Sequence, residues 1–83
     1  MTKKIVGKIS HYFDKIGVAV IEVENTIKKG DKLVFEGAGG EFKQEADSMQ
    51  IDRKEIEVAK KGQSIGIKTE EEVRPGWKVY RDE

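Results

Sequence analysis

The chain contains no cysteine, one proline and one histidine among 83 residues. Without cysteine it can form no disulfide, no thiolate metal site and no thiol nucleophile. With His11 alone, a three-histidine metal centre cannot be assembled within one chain. A Ser-His-Asp arrangement is possible by composition, but no sequence context marks Ser10, Ser48 or Ser64 as an activated nucleophile. His11 ends a strand-like run just before Tyr12 and Phe13, the position of an ordinary surface histidine. Long apolar runs are missing as well. The longest, "IGVAVI" from Ile16 to Ile21, is far too short to span a bilayer, and the basic start "MTKK" leads into no secretory segment. The expectation is a cytoplasmic protein that is not an enzyme, makes no membrane contact and uses no cofactor or metal.

Net charge is also absent. Sixteen basic and sixteen acidic side chains cancel, although 39% of the chain is charged. A neutral chain lacks the overall field that drives non-specific nucleic-acid binding, so any such contact must rest on a local patch. Abundant Lys and Glu without Cys suit a soluble protein from a hot environment. The length allows one domain, residues 1–83. Its core must be thin, since a chain of this size buries only roughly 60–65% of its unfolded surface.

What the sequence does have is period-two alternation, with no sustained helical stripe. "KIVGKIS" (Lys4–Ser10), "GVAVIEVE" (Gly17–Glu24), "KLVFEG" (Lys32–Gly37), "EFKQEADSMQI" (Glu41–Ile51), "SIGIK" (Ser64–Lys68) and "WKVYR" (Trp77–Arg81) read as six strands. In the fourth, apolar weight passes from Phe42 and Ala46 to Met49 and Ile51, a change of parity that predicts a bulge or bend. "KKGD" (Lys28–Asp31) and "RPGW" (Arg74–Trp77) read as tight turns, and "GAGG" (Gly37–Gly40) as a hairpin loop. The last lacks the Lys-Ser/Thr and helix start of a phosphate cradle. "TEEEV" (Thr69–Val73) reads as a solvated loop.

Short, regularly spaced strands predict an all-β fold, a six-stranded antiparallel closed β-barrel, because closure removes exposed edges. Ile5, Ile9, Val20, Leu33, Phe35, Ile65, Ile67 and Val79 are expected to face inward. Ile56 and Val58 are spaced to tuck a corner onto the barrel while Glu55 and Glu57 stay wet.

Three segments, "NTIKKGDKLVFEG" (Asn25–Gly37), "SMQIDRKEIEVAKKGQSIGI" (Ser48–Ile67) and "VRPGWKVYRDE" (Val73–Glu83), together resemble the second domain of elongation factor Tu and related translational GTPases. The likeness lies in the Arg53-Lys54 corner, the Lys60–Gly66 run and the Arg74–Val79 turn, with a looser match at Phe13–Gly17. Similar barrels occur as a terminal domain of collagenase-like peptidase-family proteins, some of which act in RNA modification. The resemblance implies a translation-type, elongation-factor-like barrel that binds tRNA or ribosomal RNA, or assists a larger translation or RNA-modification protein. Tyr12, Phe13, Lys15, Ile16, Gln50, Arg53 and Lys54 are its candidate contacts. Phe13 and Ile16 would seat a base, Gln50 would bond a sugar or base edge, and Arg53 and Lys54 would meet phosphate. Gln50 departs from the glutamate of the elongation factor, and Arg53 and Lys54 also suit a merely solvated corner. With no "GxxxxGK[ST]" in the chain, bound GTP is not expected. The alternative is a protein-interaction module that docks on a larger enzyme and touches no nucleic acid.

Overall fold

The alternating runs form strands in the computed structural model, which describes residues 3–82. In chain order these are β1 (Lys3–Phe13), β2 (Val18–Val23), β3 (Ile27–Lys28), β4 (Lys32–Gly37) and β5 (Gly40–Glu45). There follow β6 (Met49–Ile51), β7 (Lys54–Ile56), β8 (Val58–Ala59), β9 (Ser64–Lys68) and β10 (Lys78–Asp82). The described residues contain no helix. Eight strands make one sheet in the order β5-β4-β10-β1-β2-β9-β6-β7, and β3 pairs with β8 apart from it. Every pairing is antiparallel.

The all-β expectation holds, but the closed six-stranded barrel does not. Strands β5 and β7 end the ladder without pairing to each other. The reason lies at residues 46–48, where the predicted parity change breaks one long strand into β5 and β6. There the Ala46 N–H donates to Asp31 O at 2.8 Å, and Ala46 O accepts from the Gly30 N–H at 2.8 Å. Ala46 thus stays bonded on the β4 side, one step beyond the Lys32–Glu45 pair, while β6 goes on to pair with β9, so no single strand joins β4 to β9. The sheet curls, and its open sides are tied by other bonds, such as Lys29 N–H to Glu57 O at 2.7 Å.

Fully enclosed Leu33, Phe35, Ile9, Ile21, Ile27, Ile65 and Ile67 make the bulk of the core. Burying each such side chain contributes about 1.5–3 kcal/mol. Two bulges in β1 change which residues face in. One, between Ile5 and Gly7, turns Val6 inward in place of Ile5. Ile5 instead pairs beside Tyr80, which pairs in turn with Val34. In β2 the buried set is Ala19, Ile21 and Val23, so the expected Val20 lies on the other face. Nor does Val58 tuck in; it is exposed, and Ala59 takes the buried place. Val73, expected in a solvated loop, is buried.

One corner depends on glycine. The Trp77 indole lies so close to Gly37 that a Cβ there would overlap the ring. Phe42 stacks on Phe35 with centroids 4.8 Å apart and meets Trp77 at 6.5 Å, so the three rings close this end of the core.

Candidate functional site

The β1–β2 turn presents apolar side chains to solvent. Phe13 is 52% exposed and Ile16 63% exposed, among the few large apolar residues left outside the fold. The turn is nonetheless firmly built. Phe13 O accepts from the N–H groups of Ile16, at 3.2 Å, and Gly17, at 2.8 Å. Gly17 takes a φ of 67°, and its carbonyl accepts from Thr69 N–H at 2.9 Å. An apolar pair is thus held out on a braced support. Lys15 sits exposed between them, while Tyr12 is half-buried and packs against the core.

The β6–β7 turn is of the opposite kind. Ile51 pairs with Lys54, leaving Asp52 and Arg53 as a two-residue loop with φ values of 52° and 65°. Positive φ at both positions defines a type I′ hairpin, whose second place normally goes to glycine. Arg53 and Lys54 are exposed, and neither has an ion-pair partner among the described residues. Gln50 is exposed on β6 opposite Glu55.

These two turns lie at opposite ends of the sheet. Val18, at the start of β2, pairs with Lys68 at the end of β9. Met49 and Gln50 pair with Ile67 and Gly66, so β6 runs towards the end of β2 and the start of β9. The Asp52-Arg53 loop therefore projects past Ser64, while Phe13–Gly17 projects past Lys68. The separation along the strands alone is about 15 Å, from the usual rise per residue. The seven candidate residues divide into an apolar turn and a cationic turn. They do not make one basic-aromatic patch.

A groove of about 550 Å³ opens near the apolar turn, lined by Gln44, Glu45, Asp47, Ser48, Lys68, Thr69 and Glu70. It follows the seam left by the break between β5 and β6. Gln44 spans that seam: its Nε2 donates to Lys68 O at 2.9 Å, and its Oε1 accepts from Glu70 N–H at 2.8 Å. A side-chain amide thus supplies the donor and acceptor that a neighbouring backbone would have offered. Thr69 beside it is buried, and its hydroxyl has no hydrogen-bond partner among the described residues.

Charge is unevenly placed despite the neutral total. Asp14 and the exposed Glu70, Glu71 and Glu72 stand at the apolar end with Lys15, Lys68 and Arg74. Arg53, Lys54, Lys60 and Lys61 stand at the other, with Asp52 and Glu24. The strongest titration effects lie on the sheet face. A 3.2 Å hydrogen bond between Lys3 and Glu36 holds the ammonium above and the carboxyl below its ordinary range. No group of three or more metal-ligating side chains is assembled among the described residues. No helix there is long and apolar enough to cross a membrane.

The molecule is thus an open antiparallel sheet that carries a braced apolar turn. A family described as the peptidase family U32 C-terminal domain matches residues 1–77. The chain is 37% identical over 76 residues to an uncharacterised protease of Methanocaldococcus jannaschii, covering 90% of this chain and 19% of the protease. It is 38% identical over 81 residues to a collagenase of Porphyromonas gingivalis, covering 95% of this chain and 22% of the collagenase. It therefore spans about one-fifth of the length of these relatives. The crystal structure of the C-terminal domain of a Geobacillus thermoleovorans protein assigned to the U32 peptidases is similar with a TM-score of 0.89. At 19% identity it covers 96% of this chain and 93% of that one. The chain belongs to the peptidase family U32 C-terminal domains.

That membership overturns the translation reading, with its tRNA or ribosomal RNA partner and its translation or RNA-modification protein. The named relatives are a protease and a collagenase, not translation factors. The turn glycines that suggested elongation factor Tu serve local geometry. Gly30, Gly62 and Gly76 all occupy positive φ in tight turns, as any small β fold with such turns requires.

Proposed function

We propose that this chain is a single, non-catalytic docking domain that attaches to the larger body of a U32 peptidase. The observation that carries this reading is its place in the family: nearly the whole chain matches the C-terminal domain, yet only about a fifth of each relative. The chemistry agrees with it. His11 is an exposed strand residue with no acidic neighbour bonded to it among the described residues, and no metal-ligating cluster surrounds it. The likeness of the turns to the second domain of elongation factor Tu is, on this reading, a shared way of bending a small β fold. On this reading, the activity for which the collagenase relative is named belongs to the four-fifths of it outside the match.

The reading is tested with the Methanocaldococcus jannaschii relative lacking its matching segment. That truncated protein is titrated with this chain and, as a positive control, with the relative's own missing segment. Saturable binding of both is expected, with no hydrolysis of gelatin by this chain alone. Binding of the control but not of this chain would overturn the docking role, and gelatin hydrolysis by the isolated chain would overturn its non-catalytic nature.

A further inference from the structure

The geometry points to the β1–β2 turn as the docking contact: Phe13 and Ile16 enter an apolar socket rimmed by basic side chains on the U32 peptidase body. This rests on the docking role proposed above and assigns it to one end of the molecule. Three observations meet there. Phe13 and Ile16 are more than half exposed within four residues of chain, whereas Val58, the other exposed large apolar residue among those described, stands by itself and is less exposed. Solvated apolar surface of this kind is unfavourable unless a partner covers it. The turn is also braced before any partner arrives, by the two bonds to Phe13 O and by Thr69 N–H to Gly17 O. A contact held in its bound shape loses little conformational freedom on association. Finally, Asp14 and Glu70–Glu72 flank this turn, and none of these carboxylates has an ion-pair partner among the described residues.

Asp14 and Glu70–Glu72 outnumber Lys15, Lys68 and Arg74 at this end, so charge complementarity favours a basic opposite surface. Lys and Arg around an apolar hollow would meet the carboxylates, and Phe13 would supply the central anchor. The four-fifths of each relative outside the match provides the protein surface for it. The cationic Arg53-Lys54 turn, at the far end, stays clear of this contact.

The test uses the same titration against the truncated relative, with three variants of this chain. Phe13→Ser/Ile16→Ser should weaken binding by about 30-fold or more, as loss of central anchors does. Glu70→Lys/Glu71→Lys should weaken it by about tenfold, with the difference from wild type shrinking at high salt. Arg53→Ala/Lys54→Ala should bind as wild type does. Equal thermal melts establish that each variant is folded, and the Glu70/Glu71 pair alone suffices if the Phe13/Ile16 pair is not. If wild type binds and the apolar-turn and charge-reversed variants bind equally well, the contact lies elsewhere and the docking role stands. If the Arg53/Lys54 variant is the one that loses affinity, the assignment is overturned in favour of the cationic turn. If wild type does not bind while the relative's own segment does, docking role and contact fall together.

Discussion

Two hairpin turns, the four-residue β1–β2 turn and the two-residue β6–β7 turn, show two ways in which a small domain departs from its most stable sequence. The first leaves Phe13 and Ile16 in water on a relaxed backbone, with glycine at its positive-φ position. The second keeps polar side chains in water, as expected, but forces Asp52 and Arg53 into left-handed backbone. One departure is in hydration and the other in conformation. Exposed apolar surface acts only through what it can later touch, whereas backbone strain lowers the stability of the free domain directly. The difference is why the apolar turn, and not the cationic one, carries the docking proposal.

Substitutions can break or sharpen that contrast. The largest effect is expected at the corner that both turns depend on for a folded scaffold. Gly37→Val would drive a branched side chain into the Trp77 indole and should cost about 3 kcal/mol, read as a lower urea midpoint. An unchanged midpoint would show that the indole moves aside freely. Gln44→Ala removes the amide bridging Lys68 O and Glu70 N–H, and should cost about 1–2 kcal/mol in the same unfolding experiment. Faster amide exchange at Glu70 would place the loss at the seam, since its N–H donates to Gln44.

Arg53→Gly should go the other way. Relief of a left-handed arginine is expected to raise stability by about 1 kcal/mol, seen as a higher melting temperature. A fall would mean that the Arg53 side chain stabilises the free domain, and the contrast between the turns would weaken. The smallest effect belongs to the apolar turn. Phe13→Ser and Ile16→Ser should each change stability by no more than about 0.5 kcal/mol, because both side chains are already largely solvated. A large loss would make them part of the core and remove the reason to seek a partner for them.

Much of the fold was legible in the residues. Alternation located the stretches that became β1, β2, β4, β9 and β10, and Gly30 and Gly76 marked tight turns. The parity change after Ala46 announced the break between β5 and β6, because a strand cannot switch its buried face without an irregularity. The short strands β3, β7 and β8 were not legible, since two or three residues carry no period. Neither were the bulges in β1, which exchanged Ile5 for Val6 in the core. A bulge is set by the neighbouring strand's register, which the strand's own letters do not contain.

The candidate site divides in the same way. Exposure of Phe13, Arg53 and Lys54 agrees with their positions in turns, but their separation was invisible in a linear chain. Similarly, the role of Gln44 could not be read from its place in a strand; its amide matters because Lys68 and Glu70 come beside it in space. The family resemblance implied an all-β fold, which holds, and a closed barrel, which does not, and it placed the peptidase family second to translation. Glycine turns and charged corners recur wherever small sheets bend, so they fix geometry better than partner.

The sequence by itself determined an all-β chain without thiol chemistry, its main strands, most of its turns and the core places of Ile9, Leu33, Phe35, Ile65, Ile67 and Val79. Those properties follow from side-chain period and from the backbone freedom of glycine, which are local. Tertiary structure alone decided that the sheet stays open, that Gln44 bridges its seam, and that the apolar and cationic turns face opposite ways. Each of these depends on which strand lies beside which and in what register. Pairing between residues distant in the chain is fixed only when the whole core packs at once.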